Sequence, residues 1–294
     1  MGTPQPQLPN RPANAHKGTF GHVVAIAGSR CMPGAAGLVA MAAARTGCGL
    51  VTVATPSSAQ PVIAGYSPVY MSLPVAETKE GWIAASAMAE LEIFLARANV
   101  IAIGPGLGTA NGARRVVVEL YREATIPIVI DADGLNVLAA EAVELEDHRG
   151  PRILTPHPGE LRRLLGVSMK VETAGELEQL EDAAIEMASR SKIVLVAKSH
   201  RTLVTDGDSK WRSSGGNSGM ATGGTGDVLT GIIASLLAQG LEPLQAAVSG
   251  TALHALAGNL AAQNLGPASM IATDLVDHLS AAFRIAGEEW LSGT

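Results

Sequence analysis

Apolar segments that alternate with turns rich in glycine, proline or polar residues constrain this chain more than any other feature. The first segment, HVVAIAG (22–28), is followed by SRCMPG and an apolar helical stretch over 35–47, and then by a second apolar segment at 50–54. This rhythm is typical of a parallel sheet whose strands are joined by helices. The same pattern predicts further strands at 69–73, 100–103, 126–130 and 152–154, with helices at 83–97 and 113–122. Repetition of the unit predicts an α/β fold with helices on both faces of the sheet.

The last third of the chain changes character. Short strands are predicted at 193–197, 202–205 and 210–212, with turn residues between them, which indicates a hairpin at one edge of the sheet. Three helices then follow, near 225–239, 242–263 and 273–286. Because no internal repeat or linker interrupts the pattern, we predict a single domain over 16–294, preceded by a flexible segment of residues 1–15.

Special segments follow five of the predicted strands directly. They are GSRCMPGAAG (28–37), GPGLG (104–108), DADGLN (131–136), TPHPGE (155–160) and AKSHRT (197–202). In an open parallel sheet, ligands bind beyond the carboxyl ends of the strands. The convergence of five strand ends therefore predicts one site at that edge.

Composition excludes several classes of protein. A net charge of −6, a pI near 5.7 and a charged fraction of 16% argue against a surface for nucleic acid or anionic membrane. The N-terminus lacks the apolar core of a secretory signal, and no uncharged apolar run is long enough to span a membrane. Cys31 and Cys48 have no metal-binding spacing and predict no disulfide framework, which favours a reducing cytoplasm.

The segment NSGMATGGTGD (217–227) runs straight into the apolar helical stretch 228–240. Glycines let the backbone approach a ligand closely, and the start of a helix presents unpaired N–H groups and the positive end of its dipole. Such a point suits a phosphate or a developing negative charge. Asp227 at its end has two interpretations: it caps its own helix, or it takes a proton from a hydroxyl that attacks a phosphate.

The other segments also have alternatives. GPGLG is not the dinucleotide fingerprint, and the chain has no GxxxxGK[ST], so a tight turn is the default there. Asp131 or Asp133 either caps a helix or contacts a metal or substrate. His157 is stiffened between two prolines and is either structural or aimed at a ligand, whereas Glu160 caps the next helix. Lys198 is either a solvated charge or a phosphate contact.

Taken in order, the motifs resemble those of the NAD(P)H-hydrate dehydratases. The segments that carry the resemblance are HKGTFGHVVAIAGS, PGAAGLVAMAAARTGCGLVTVATP, IGPGLG, VIDADGLNVL, ILTPHPGELRRLLG, VLVAKSHRTLVTDG and GNSGMATGGTGDVLTGIIASLLAQG. They cover the chain from His16 to about Ala286, and the pair TPHPGE and GMATGGTGD is the most specific. The resemblance implies a ribokinase-like fold, a three-layer α/β/α sandwich with a mainly parallel sheet.

The resemblance also implies a repair reaction. The S form of hydrated NAD(P)H is dehydrated to NAD(P)H at the expense of ADP in most bacterial members, or of ATP in eukaryotic ones. Phosphorylation of the hydroxyl makes it a good leaving group, which the lone pair of the ring nitrogen can expel. Mg²⁺ is implied as cofactor, without assignable protein ligands.

Site residues are implied position by position. Asp227 is the base, with Gly224 and Gly226 in the loop whose N–H groups hold the transferring phosphoryl group. The residues implied to contact the hydrated dinucleotide are Ala36, Gly106, His157 and Asp227. Those implied to contact the adenine nucleotide are Lys198, Ser199, His200, Arg201, Thr202 and Gly226.

Two departures from the family pattern bear on the choice between ADP and ATP: Lys198-Ser199 replaces Lys-Gly, and Asn217-Ser218-Gly219 replaces Asn-Pro-Gly. Members of the family tend to be tetramers, and many carry an epimerase domain. Only 15 residues precede His16, so we expect a separate epimerase. Two other functions stay open, a ribokinase-like kinase for a small molecule and a nucleotide-binding protein without catalysis.

Overall fold

A computed structural model describes residues 3–168 and 173–292 and organises them around one mixed sheet. In that part of the chain the strands are β1 His22–Ile26, β2 Leu50–Pro56, β3 Met71–Val75, β4 Val100–Ile103, β5 Ile128–Ile130, β6 Arg152–Leu154, β7 Val194–Ala197, β8 Leu203–Thr205 and β9 Lys210–Arg212. Their order across the sheet is β3-β2-β1-β4-β5-β6-β7-β8-β9. The strands from β3 to β7 in this order are parallel, whereas β8 and β9 are antiparallel.

The order of the strands reverses between β1 and β4. The chain first runs outward from β1 to β3 and then returns to the other side of β1, where it runs from β4 to β9. Such a switch point leaves a crevice at the carboxyl ends of the two central strands. The loops after β1 and β4 therefore lie side by side, next to those after β5, β6 and β7.

Helices cover both faces of the sheet. They are α1 Pro33–Thr46, α2 Gln60–Tyr66, α3 Met88–Leu95, α4 Asn111–Glu123, α5 Asp133–Ala140, α6 Pro158–Leu165, α7 Ala174–Ser191, α8 Thr225–Ala238, α9 Pro243–Leu265 and α10 Ala272–Ser292. Alternate strand residues point to opposite faces, so Val23 and Ala25 pack with α1, α8, α9 and α10, whereas Val24 and Ile26 pack with α4, α5 and α7. The α/β prediction, with helices on both faces and an edge hairpin, is confirmed.

The boundaries of several predicted elements were wrong. The helix predicted over 83–97 is a short 3₁₀ turn, Ala85–Ala87, followed by α3. The strand predicted at 69–73 is β3, two residues further on. The helices α2 and α7 were not predicted at all. Cys31 and Cys48 are free thiols, in agreement with the sequence interpretation.

None of the helices in residues 3–168 and 173–292 combines the length and the hydropathy that crossing a membrane requires. The N-terminal residues lie against the folded chain: Leu8 packs on the apolar cluster beneath α9 and α10, and the Gln7 N–H donates to Ser249 Oγ. The division into a flexible segment 1–15 and a single domain 16–294 stays a prediction.

Arg152 is a buried arginine that completes the end of α4. Its Nη2 donates to the carbonyls of Tyr121 and Ala124, at 2.6 Å each, and Nε donates to the Tyr121 carbonyl at 2.9 Å. The last carbonyls of a helix have no partner within the helix. Burial lowers the pKa of Arg152 only to about 10, so the guanidinium stays charged at neutral pH and supplies these donors.

We therefore expect Arg152→Met to lower the free energy of unfolding by about 3 kcal/mol, because it leaves buried carbonyls without donors. The matched control is Arg149→Met, which removes an exposed ion pair to Glu123 and should cost less than about 1 kcal/mol. Urea unfolding of both variants measures the difference. Equal losses would show that Arg152 does not stabilise the end of α4.

Candidate functional site

A cavity of about 590 Å³ opens at the carboxyl edge of the sheet. One wall comes from the segment after β7, and the other from the glycine-rich loop, the start of α8 and the facing side of α9. Its lining residues include His157, Lys198, Ser199, His200, Thr202, Asn217, Thr225, Gly226 and His254. The edge predicted from the strand ends is thus the edge where this cavity lies.

The glycine-rich loop ends where the sequence predicts the helix to begin. Gly224 has a left-handed backbone, with φ of 93°, and α8 begins at Thr225. The Val228 N–H donates to the Gly224 carbonyl, so the N–H groups of Thr225, Gly226 and Asp227 precede the first hydrogen bond of the helix. Unpaired N–H groups at a helix start form a site for an anion.

Asp227 is not the cap of its helix. Gly224 occupies the cap position without a side-chain hydrogen bond, and Asp227 lies in the first turn. Burial raises the pKa of Asp227 to about 7, and the nearby Asp131 carboxylate adds to this increase, while Lys198 opposes it. A carboxylate with a pKa near the working pH has the acidity required of a general base.

Lys198, which follows β7, is held by a buried carboxylate at the end of β5, two strands away in the sheet. Its Nζ lies 2.7 Å from Oδ1 of Asp131, which directly follows β5 and is only 1% exposed. The other oxygen, Oδ2, accepts from Thr230 Oγ1 on α8 at 2.8 Å. Burial alone would lower the pKa of Lys198, but the carboxylates of Asp131 and Glu160 raise it above the ordinary value. The ammonium group is therefore fixed and charged.

This ammonium group lies directly against the glycine loop. The position that a Cβ atom would take at Gly226 is 3.2 Å from Lys198 Nζ and 3.6 Å from Asp131 Oδ2. A positive charge and the unpaired N–H groups of the loop thus share one small region. Their combination is suited to the phosphates of a nucleotide.

His157 and Glu160 form a reciprocal cap at the start of α6. Nδ1 of His157 accepts from the Gly159 N–H at 3.0 Å, and Glu160 Oε2 accepts from the His157 N–H at 2.8 Å. Burial, with help from Lys198, lowers the pKa of His157, so the ring is neutral at neutral pH. Burial raises the pKa of Glu160 to about 7, against the effect of Lys198. His157 is half exposed and lines the cavity, so it both caps α6 and faces the cavity.

Three residues to which the sequence analysis gave no role stabilise the wall formed by the glycine-rich loop, the start of α8 and α9. His254 Nε2 lies 2.8 Å from the Thr225 carbonyl, which can only accept, so this nitrogen carries the proton. Burial lowers the pKa of His254 to about 4, and the ring is neutral. Asn217 Nδ2 donates to the Gly258 carbonyl of α9, and Thr225 Oγ1 donates to the Met220 carbonyl. Asn217 and Thr225 lie in the glycine-rich segment 217–227, whereas His254 lies on α9 outside any motif, and its partner Thr225 is 29 residues away.

Two of the residues predicted to contact the hydrated dinucleotide, Ala36 and Gly106, lie deeper in the fold. Ala36 has no exposed surface and packs within the first turns of α1. Gly106 lies beside it: a Cβ atom there would be 2.8 Å from the Met32 carbonyl oxygen and 2.9 Å from Ala35 Cβ. Asp133 Oδ2 accepts from the Gly108 N–H at 2.8 Å, which connects the loop after β4 with the start of α5. The structure thus brings the loops together, while a direct ligand contact of Ala36 stays a prediction.

The segment 198–202 contributes most of its residues to the cavity. Lys198, Ser199, His200 and Thr202 line it, whereas Arg201 is exposed and does not. The buried hydroxyl of Ser199 has no hydrogen-bond partner within the described residues. Ser199 is one of the two positions that depart from the family pattern, and it lines the cavity.

Residues 3–168 and 173–292 contain no group of three or more His, Cys, Asp or Glu side chains placed to hold a metal ion. Mg²⁺ commonly binds through substrate phosphates and water, with one or two carboxylates.

A second cavity, of about 640 Å³, lies at the opposite end of β6 and β7, and its lining includes His148, Arg149, Arg152, Lys192 and Asp206. The Arg152 guanidinium already donates to the Tyr121 carbonyl of α4. Because ligands of open parallel sheets bind at the carboxyl ends, the first cavity is the candidate functional site.

The fold and site define an α/β protein with an anion-binding glycine loop, a fixed lysine and a carboxylate at one edge of the sheet. The sequence profile of the NAD(P)H-hydrate dehydratases matches residues 23–281, and the chain belongs to this family.

Three comparisons support this assignment. The chain is 43% identical over 286 residues to a bifunctional NAD(P)H-hydrate repair enzyme of Moorella thermoacetica, covering 96% of the chain and 53% of that protein. It is 36% identical over 266 residues to an ADP-dependent (S)-NAD(P)H-hydrate dehydratase of Neisseria meningitidis, covering 88% and 83%. The crystal structure of the ADP/ATP-dependent dehydratase of Bacillus subtilis, obtained with ATP and Mg²⁺, superposes with a TM-score of 0.77 at 30% identity, covering 94% of both chains.

These comparisons confirm the predicted family and the predicted ribokinase-like fold. The chain spans about half the length of the bifunctional relatives that it matches. The residue assignments within the site stay predictions.

We expect Gly224→Ala to lower the free energy of unfolding by about 1 to 3 kcal/mol, because alanine tolerates a left-handed backbone poorly. The added Cβ would also lie 2.5 Å from Leu38 Cδ1. Gly223→Ala is the matched control, since a Cβ there meets nothing within 4 Å. Urea unfolding compares the two. Equal stability of the variants would show that the loop can rearrange freely at Gly224.

Proposed function

We propose that the protein dehydrates the S form of NAD(P)H hydrate to NAD(P)H, consuming ADP and releasing AMP and phosphate. The observation that carries this proposal is the placement of Asp227. Its carboxylate, with a pKa raised to about 7 by burial, lies in the first turn of α8, beside the free N–H groups of the loop and the charge of Lys198. A base and a phosphoryl-binding site thus occur together.

In the proposed reaction, Asp227 takes the proton of the substrate hydroxyl while the hydroxyl oxygen attacks the terminal phosphorus of ADP. The phosphorus–oxygen bond to the leaving AMP breaks, and the new phosphate ester forms. The N–H groups around Gly224 and Gly226 stabilise the charge on the transferring group. Phosphate then leaves the ring carbon, driven by the lone pair of the ring nitrogen, and loss of the adjacent proton restores the double bond.

The cavity supports the assignment of the nucleotide to one wall. Lys198, Ser199, His200, Thr202 and Gly226 line it and would contact ADP or ATP. Arg201 would act only if a bound nucleotide extended beyond the cavity, because its side chain is exposed. His157, which lines the same cavity, and Gly106 and Ala36, which lie outside its lining, would contact the hydrated dinucleotide.

Further parts of the proposal rest on the relatives. Mg²⁺ would accompany the nucleotide and offset the charge of its phosphates, as the crystallisation of the Bacillus subtilis enzyme with ATP and Mg²⁺ supports. The Neisseria meningitidis relative is an ADP-dependent dehydratase, and we propose ADP as the donor here. A cytoplasmic location, a homotetramer and a separate epimerase for the R hydrate remain proposals made from the sequence.

The second candidate is a kinase for a small molecule. The anion-binding loop and Asp227 would serve any hydroxyl acceptor, and pyridoxal kinase shares the fold at 15% identity. The family assignment and the TPHPGE segment, whose His157 faces the cavity, favour the dehydratase.

The function is tested by incubating the protein with S-configured NADPH hydrate and Mg²⁺, in parallel with ADP, with ATP and without nucleotide. Recovery of the absorbance of reduced nicotinamide, together with stoichiometric phosphate, is expected with ADP. We expect Asp227→Asn to bind ADP normally and to lose about 100-fold or more in kcat, because the base is gone. A stable phosphorylated product without recovery of absorbance would establish the kinase instead, and retained turnover in the variant would exclude Asp227 as base.

We expect His157→Ala to raise the KM for the hydrate about 10-fold, with little effect on ADP affinity, since the ring faces the substrate side. His157→Asn is the matched control for the cap, because asparagine also caps helices well. If both variants keep the normal KM, His157 has only a structural role. Initial rates at varied hydrate concentration provide the measurement.

A further inference from the structure

We infer that Asp131 is a positioning residue, which holds the Lys198 ammonium against the glycine loop and ties it to the helix turn that carries Asp227. The inference rests on the proposed function, to which it adds a residue not assigned to the reaction above. Asp131 directly follows β5, Lys198 follows β7, and Thr230 is on α8. One carboxylate therefore joins the three elements whose relative position defines the site.

The contacts of Asp131 use both of its oxygens. Oδ1 accepts from Lys198 Nζ at 2.7 Å, and Oδ2 accepts from Thr230 Oγ1 at 2.8 Å. Thr230 is fully buried, and its hydroxyl is also 3.2 Å from the Gly226 carbonyl of the same helix. Thr230 lies three residues after Asp227, so its hydroxyl fixes the turn of α8 that carries Asp227.

Burial makes this arrangement sensitive to the loss of one partner. Asp131 is 1% exposed and Lys198 is 20% exposed. A long, flexible lysine side chain holds one position only when a partner fixes it, and a buried charge left unpaired is strongly unfavourable. Without Asp131, Lys198 would turn toward the remaining carboxylates, Glu160 and Asp227, both of which interact with it. It would then neutralise the base instead of contacting phosphate.

The same carboxylate also acts on the base through its charge. The charged groups that face Asp227 are Asp131 after β5, Asp133 on α5, Glu160 on α6 and Lys198 after β7. Asp131 is the largest contributor among them. Removal of its charge lowers the pKa of Asp227, and a released Lys198 that approaches Asp227 lowers it further. Both effects move the acid limb of the pH–rate profile to lower pH.

The first experiment is a double-mutant cycle on ADP affinity, measured by calorimetry with Mg²⁺ and without the hydrate. Asp131→Asn and Lys198→Met should each raise the Kd for ADP about 10-fold. If Asp131 acts through Lys198, adding Asp131→Asn to Lys198→Met should change the Kd less than about 2-fold. This comparison uses only Lys198→Met and the double variant, so it tests the coupling even if Asp131→Asn, which leaves the lysine charge unpaired, is poorly stable.

The second experiment uses turnover with the hydrate and ADP. Asp131→Asn should lower kcat about 10-fold or more and shift the acid limb of kcat/KM to lower pH. Thr230→Val keeps the shape of the side chain but removes its hydroxyl, and should lower kcat with a smaller change in the Kd for ADP.

Glu181→Gln is the matched structural control. Glu181 is also a buried carboxylate, 2.9 Å from Arg212, but it lies on α7, which contributes no residue to the cavity lining. It should lower the melting temperature and leave the Kd for ADP and the pH profile unchanged.

The outcomes separate the two proposals. Additive effects in the cycle, or an acid limb of Asp131→Asn that stays in place, would overturn the positioning role while the dehydratase function stands. Coupled effects on the Kd for ADP in a protein that never restores NADPH would overturn the function, and the link between Asp131 and Lys198 would stand. A wild-type protein that binds neither ADP nor ATP would overturn both.

Discussion

The site depends on an ion pair buried at the carboxyl edge of the sheet. Asp131 and Lys198 come from strands that are separated by one other strand, and they are 67 residues apart in the chain. A pair of this kind contributes little net stability, because desolvation of both charges offsets their attraction. Its value is positional: it places a fixed positive charge against Gly226, where a side chain would meet it. The parallel sheet makes this possible by bringing both strand ends to one edge.

The charges around this pair explain how an acidic cluster can receive an anion. Asp131, Glu160 and Asp227 surround a single lysine, and three ionised carboxylates would repel phosphate. Burial raises the pKa of both Glu160 and Asp227 to about 7, so the cluster carries less negative charge at neutral pH than its composition implies. An arriving phosphate would raise the pKa of Glu160 and Asp227 further, because a nearby negative charge disfavours their ionised forms. The N–H groups at the start of α8 add positive potential that does not titrate.

The fold was largely predictable from the sequence, whereas the site was predictable only in outline. Apolar strands followed by glycine turns repeat locally, so the parallel sheet, the edge hairpin and the start of α8 at Thr225 followed from pattern. The helix α7 was missed although Thr173 and Glu176 form its capping box, a signal that could have been used. The role of Asp131 could not be derived, because its partners, Lys198 after β7 and Thr230 on α8, are brought near only by the tertiary fold. For the same reason, nothing in the sequence showed that Ala36 is fully buried, whereas its neighbour Gly34 is exposed.

The two walls of the site differ in how the chain builds them. The proposed nucleotide wall comes mainly from the last third of the chain, where β7, the hairpin, the glycine loop and α9 follow one another. The proposed acceptor side is assembled from separate loops after β1, β4, β5 and β6, and Asp133 and Gly108 link two of them. Separate loops can change one at a time without disturbing a rigid scaffold, whereas the contiguous wall must retain the geometry that phosphate requires. The pyridoxal kinase of Staphylococcus aureus can therefore share the fold at 15% identity, and the identity of the acceptor must be sought in residues such as His157.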